Sequence, residues 1–161
     1  MAPEKSFAEA TAVKAISSHT YSAEFPDDWC IGSGTSILII LKIEILTLLI
    51  VPHGGFITAT FLQVATAHFK TTLSTQNQPH TIAMHLDFLR RTQVGPALFT
   101  VTDTKLGRQA SVITIKLTQG PALSREEVIG SMFNAPLYLA HSGNLKLYRP
   151  RAITPTNTLQ P

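Results

Sequence analysis

The feature that most constrains this chain is a helical stretch that is apolar on nearly every side. Phe56, Ile57, Ala59, Phe61, Leu62, Val64, Ala65, Ala67 and Phe69 follow one another with few polar interruptions. A surface helix keeps one polar face, so a helix of this kind needs enclosure by other elements. It opens at Pro52-His53-Gly54-Gly55, where proline and glycines punctuate the chain. Residues 71–79, rich in Thr, Ser, Gln and Asn, read as the loop that follows it.

Beyond that loop the pattern changes to alternation, the mark of half-buried strands. Ile82, Met84, Leu86 and Phe88 share one face, with His85 and Asp87 on the other. A strand at 97–104 follows the Gly95-Pro96 turn, with Phe99 and Val101 on one face. Residues 105–108 turn the chain into a strand at 109–119, where Ser111, Ile113, Ile115 and Leu117 share a face. Gly120-Pro121 breaks it, and 127–134 reads as one more strand. Upstream, Ser6 and Glu9 have the spacing of a capping box and predict a helix over 7–16, before a strand at 20–25 closed by Pro26-Asp27-Asp28. The expected layout is α+β: one long central helix wrapped by a curved antiparallel sheet.

Residues 36–51 are a run of Ile and Leu interrupted by Lys42 and Glu44. The run is short for a bilayer span, and two charges near its middle are costly in lipid, so it reads as a buried strand or a helix packed on a sheet, its β-branched isoleucines favouring the strand, with no stable membrane insertion. The first residues lack the basic-then-apolar layout of a signal peptide, which gives an intracellular reading. Cys30 is the single cysteine, so no internal disulfide forms, and its neighbours Trp29 and Ile31 mark it as a packing residue. A net charge of +3 without a basic stripe argues against nucleic acid, while suiting an anionic ligand. The 6 histidines lie at scattered positions without ligand spacing, so no metal site is expected.

Taken in order, Pro52-His53-Gly54-Gly55, the stretch 85–90 (HLDFLR), Val94-Gly95-Pro96, Leu106-Gly107-Arg108-Gln109 and Leu117-Thr118-Gln119 resemble the N-terminal half of the TesB-like acyl-CoA thioesterases, most of all their fungal thioesterase-like branch. The resemblance implies a single hotdog fold over 1–135, with 34–50 an atypical apolar insert that looks like retained intron sequence, and an irregular tail at 136–161. It implies hydrolysis of an acyl thioester, either acyl-CoA or a carrier-bound acyl chain, without a cofactor beyond the coenzyme A of the substrate. It further implies a cytoplasmic or peroxisomal enzyme of secondary metabolism. Family members carry two hotdog units in tandem. One unit alone implies a homodimer or higher oligomer, and the catalytic residues of the second unit have no counterpart here.

The candidate chemistry follows. Unsatisfied amides at a helix start, with glycines allowing close approach, can hold a thioester carbonyl at His53, Gly54 and Gly55. Asp87 is the candidate general base and His85 its partner. Arg108 is the candidate for the coenzyme A phosphates, and Gln109, His85 and Gln119 are candidates for substrate or coenzyme A contact. The alternatives are a non-catalytic acyl-binding or oligomerisation module, and a dehydratase-type acyl-modifying enzyme. There is no Gly-x-Ser-x-Gly elbow for a serine hydrolase.

Overall fold

The computed structural model describes residues 6–31 and 51–136. Its centre is α2 (Gly54–Thr71), where the apolar run predicts it. The buried side chains are Phe56, Ile57, Thr60, Phe61, Val64, Ala65, His68 and Phe69, a spacing that marks one broad face of the helix. Leu62 and Gln63 on the other face are exposed. Among the described residues the sheet therefore covers α2 on one side, whereas the sequence predicts cover all round. A single sheet layer can reach only one side of a cylinder about 10 Å across.

That sheet has six antiparallel strands in the order β1-β2-β6-β7-β8-β5, where β1 is Lys14–Ser17, β2 Thr20–Phe25, β5 His80–Phe88, β6 Gly95–Lys105, β7 Ser111–Gln119 and β8 Arg125–Ala135. A small separate pair joins β3 (Cys30–Ile31) to β4 (Val51–Pro52). Strand β7 lies centrally and alternates buried and half-buried residues along its whole length, so Ile113, Ile115 and Leu117 reach the core as expected. Fully burying one such side chain contributes roughly 1.5–3 kcal/mol.

The core is aromatic where β2 and β6 meet the helix: Phe25 lies 5.4 Å from Phe56 and Phe61 lies 5.3 Å from Phe99, both edge-on. Gly130 on β8 lets the helix approach. A Cβ there would sit 2.5 Å from Leu86 Cδ2 and 2.9 Å from the Phe61 ring.

The N-terminal expectation needs correction. Helix α1 (Phe7–Ala10) starts at the Ser6–Glu9 capping box, but Thr11 ends it by donating its amide to the Phe7 carbonyl. Lys14 to Ser17 then form an edge strand with every residue exposed. Pairing with β2 supplies backbone partners that a four-residue helix cannot, and context outweighs the helical spacing of the alanines. The strand expected at 127–134 is longer, Arg125–Ala135. The apolar insert, apart from Val51, and the tail beyond residue 136 lie outside the described residues. Among those described, no helix is long and apolar enough to cross a membrane.

Candidate functional site

His53 is the N-cap of α2, with extended backbone, and its Nδ1 accepts the Gly55 amide at 3.0 Å. A Cβ on Gly55 would lie 3.0 Å from that Nδ1, so any larger residue would crowd the folded-back imidazole and push it outward by a few tenths of an ångström. The His53 amide donates to the Trp29 carbonyl at 2.9 Å, and its carbonyl accepts from Ile57. These bonds fix the helix entry against β3. Among the described residues, nothing accepts from the Gly54 and Phe56 amides. They remain as donors at the positive end of the helix dipole.

The surroundings are apolar. The Trp29 ring stacks on Phe56 at 6.4 Å, and Trp29 Nε1 is buried without a hydrogen-bond partner among the described residues. The Phe88 ring end lies 4.0 Å from where a Gly54 Cβ would stand. Phe88 and Leu89 are each 52% exposed, so this end of the β5 edge is open and greasy. The alternation of β5 that sends Phe88 over Gly54 sends its neighbour Asp87 to the opposite face. There Asp87 Oδ1 meets His85 Nε2 at 3.1 Å, both side chains being largely exposed.

The fold does not gather all the sequence candidates. His53, Gly54 and Gly55 form one locus, and His85 with Asp87 a second on the outer face of the edge strand. Arg108 and Gln109 stand in the β6–β7 loop, lining a cavity of about 740 Å³ with Lys105, Val112 and Phe133. That loop is tied to the chain just after α2 by Gln78 Nε2, which donates to the Gly107 carbonyl at 2.6 Å. Arg108 is thus at the opposite end of α2 from His53, a helix of 18 residues and roughly 27 Å away. Gln119 is buried. Its Oε1 accepts the Gln93 amide and its Nε2 donates to the Gln93 carbonyl, each at 2.8 Å, so its amide holds the turn before β6.

A group the sequence reasoning missed sits at the C-terminal end of α2. His68 is fully buried; its Nε2 lies 2.9 Å from Asp103 Oδ1, and His19 Nε2 lies 3.2 Å from Asp103 Oδ2. Burial pushes the Asp103 carboxyl upward, but the hydrogen bonds and charges of His68 and His19 outweigh it and hold it below its ordinary value. The sequence carries no signal for this group, whose members are 35 and 84 positions from Asp103.

Known proteins give four points of comparison. The family model described as the acyl-CoA thioesterase N-terminal domain matches residues 47–134. A thioesterase-like protein of Talaromyces wortmannii, TwmA, is 32% identical over 141 residues, covering 88% of this chain and 34% of that protein. Among solved structures, a protein of unknown function with hot dog fold from Alicyclobacillus acidocaldarius superposes with TM-score 0.60 at 14% identity, over 99% of this chain and 46% of that one. A tesB protein of Mycobacterium avium subsp. paratuberculosis gives 0.57 at 16% identity, over 89% and 44%. The fold is the hotdog, and the chain spans about a third of the fungal relative.

Proposed function

Because the chain belongs to the acyl-CoA thioesterase N-terminal domain family, we propose that it supplies one half of a hydrolase that cleaves acyl thioesters with water. The observation that carries this reading is the start of α2, where the Gly54 and Phe56 amides have no acceptor among the described residues at a glycine-opened helix end. Such donors hold the thioester oxygen and strengthen as it becomes an oxyanion. Water adds to the carbonyl carbon; the tetrahedral intermediate then collapses, expelling the coenzyme A thiolate, which takes up a proton. The acyl chain lies against Trp29, Phe56 and Phe88.

Asp87 is the proposed acceptor of the water proton. It adjoins Phe88 at the same end of β5, held by His85, and an acyl group placed at the strand edge is reachable from both faces. Arg108 and Gln109 at their cavity are proposed to meet the coenzyme A phosphates, together with Lys105.

The second half is either a further hotdog unit of a longer chain or a second copy. Among the described residues β5 is an edge strand with one side unpaired, and Phe88 at its end and Leu89 just beyond it are exposed. A two-fold antiparallel pairing of two such edges sets the Arg108 end of one unit beside the His53 end of the other. This relieves the separation of the two candidate groups within one unit.

A non-catalytic acyl-binding module is the second reading, favoured by the outward face of Asp87. The test is thiol release from acyl-CoA thioesters of graded length, with the oligomeric state measured by sedimentation. The proposal expects turnover by a dimer, lost in Gly55→Ala. Arg108→Ala should raise KM for coenzyme A thioesters and leave that for phosphate-free pantetheine-type thioesters unchanged. Saturable acyl-CoA binding without turnover selects the binding module, and absence of both rejects either role.

A further inference from the structure

We propose that His19, His68 and Asp103 form a binding site for a divalent transition-metal cation, with Zn²⁺ as its representative. The site lies at the other end of α2 from His53, with Asp103 on β6 two residues before Lys105, and uses none of the residues assigned to the thioesterase reading.

The hydrogen-bond pattern around His68 is the starting point. Its Nδ1 is 3.1 Å from the Ser18 carbonyl, which can only accept, so Nδ1 carries a hydrogen. Tyr21 Oη, 3.2 Å from Nδ1, then accepts from it and gives its own hydrogen to the Ser18 carbonyl at 3.4 Å. The same carbonyl also accepts from Thr72 Oγ1 at 2.7 Å. With Nδ1 so engaged, His68 turns its Nε2 to Asp103 Oδ1 across 2.9 Å, a gap that a hydrogen or a cation can bridge. His19 is held in the same way through its other nitrogen: Nδ1 is engaged by the Ser18 hydroxyl at 2.9 Å, which can donate or accept, while Nε2 faces Asp103 Oδ2 at 3.2 Å.

Imidazoles fixed through one nitrogen by a carbonyl or hydroxyl, with the other turned to a shared centre, are how histidine ligands are held. Nitrogen and oxygen ligands at about 2.0–2.2 Å from one cation lie roughly 3–3.5 Å apart. The two histidine–carboxylate distances, 2.9 and 3.2 Å, are near that spacing, and the ligand atoms as a set fall within 4.8 Å, so a cation draws them slightly closer on binding. Two imidazoles and a carboxylate select a borderline cation over Ca²⁺ or Mg²⁺, which prefer oxygen. The side chains of His68, Asp103 and His19 are 0%, 22% and 42% exposed, so the site opens on one side, where water completes the coordination. Bound there, the cation pins the β1–β2 turn and β6 to the last turn of α2.

The test is calorimetric titration of the untagged, chelator-treated chain with Zn²⁺, and with Co²⁺ for its visible d–d absorption. Binding of one ion per chain is expected, with affinity falling at least about 100-fold in His19→Ala and in Asp103→Asn, more than removal of a hydrogen-bond partner of a ligand costs. Circular dichroism checks that both variants are folded. In the unsubstituted chain Zn²⁺ should also shield His19 from diethyl pyrocarbonate, a readout that needs no variant. Lack of saturable uptake, uptake surviving either substitution in a folded variant, or unshielded His19 overturns the proposal.

Discussion

Nδ1 of His53 accepts the amide hydrogen of Gly55 at 3.0 Å, so the residue that opens α2 also caps it. One ring nitrogen is thereby committed to structure, and the neighbouring amides of Gly54 and Phe56 have no acceptor among the described residues.

The first consequence is thermodynamic. His53→Ala should cost about 0.5–2 kcal/mol of unfolding free energy, the usual loss of a side-chain cap. His53→Asn, which can accept the same hydrogen bond, should recover most of it. Urea denaturation of the three proteins checks this; an Asn variant as unstable as the Ala variant contradicts the capping role.

Gly54 and Gly55 should respond differently to alanine. A Cβ on Gly55 meets the imidazole at 3.0 Å and displaces it, whereas one on Gly54 finds only the Phe88 ring end at 4.0 Å. Gly55→Ala should therefore lose both the cap and at least about 10-fold in thioester turnover, a cost of about 1.4 kcal/mol in transition-state binding. Gly54→Ala should keep the stability of the parent. Parallel denaturation and thiol-release assays separate the two.

Gly130→Ala should destabilise the fold. The added methyl would stand 2.5 Å from Leu86 and 2.9 Å from Phe61, inside the helix–sheet contact. Overpacking of this kind costs about 1–3 kcal/mol. Phe61→Leu in the same chain should return part of the loss by making room, and strictly additive effects would argue against the contact.

Cys30 should be a sluggish thiol. Burial, then the carboxylates of Asp27 and Asp28, push its pKa above the ordinary value, so less thiolate is present at any given pH. The alkylation rate with iodoacetamide should reach its midpoint at higher pH in the folded chain than after unfolding. Asp28→Asn should bring that midpoint down. Equal rates in folded and unfolded protein would remove the effect.

Much of the fold is legible in the residues because its cause is local. The alternation from Ile113 to Leu117 and the apolar run from Phe56 to Phe69 report burial at their own periods, 2 and 3.6. The helix start is equally local, since the cap donor and acceptor are two residues apart. The failure at 14–17 has a non-local cause. Those residues have helical spacing, but their backbone partners lie on β2.

The sequence by itself determined a glycine-opened apolar helix and most of the strands packed on it, because periodicity acts within a few residues; that those strands cover only one side of the helix came from the tertiary structure. Only the tertiary structure decided that Arg108 stands at the far end of α2 from His53, that Gln119 is spent on the Gln93 turn, and that His19, His68 and Asp103 meet. Those outcomes depend on strand order and register, which place side chains up to 84 positions apart within hydrogen-bonding distance. No short-range pattern encodes such a meeting.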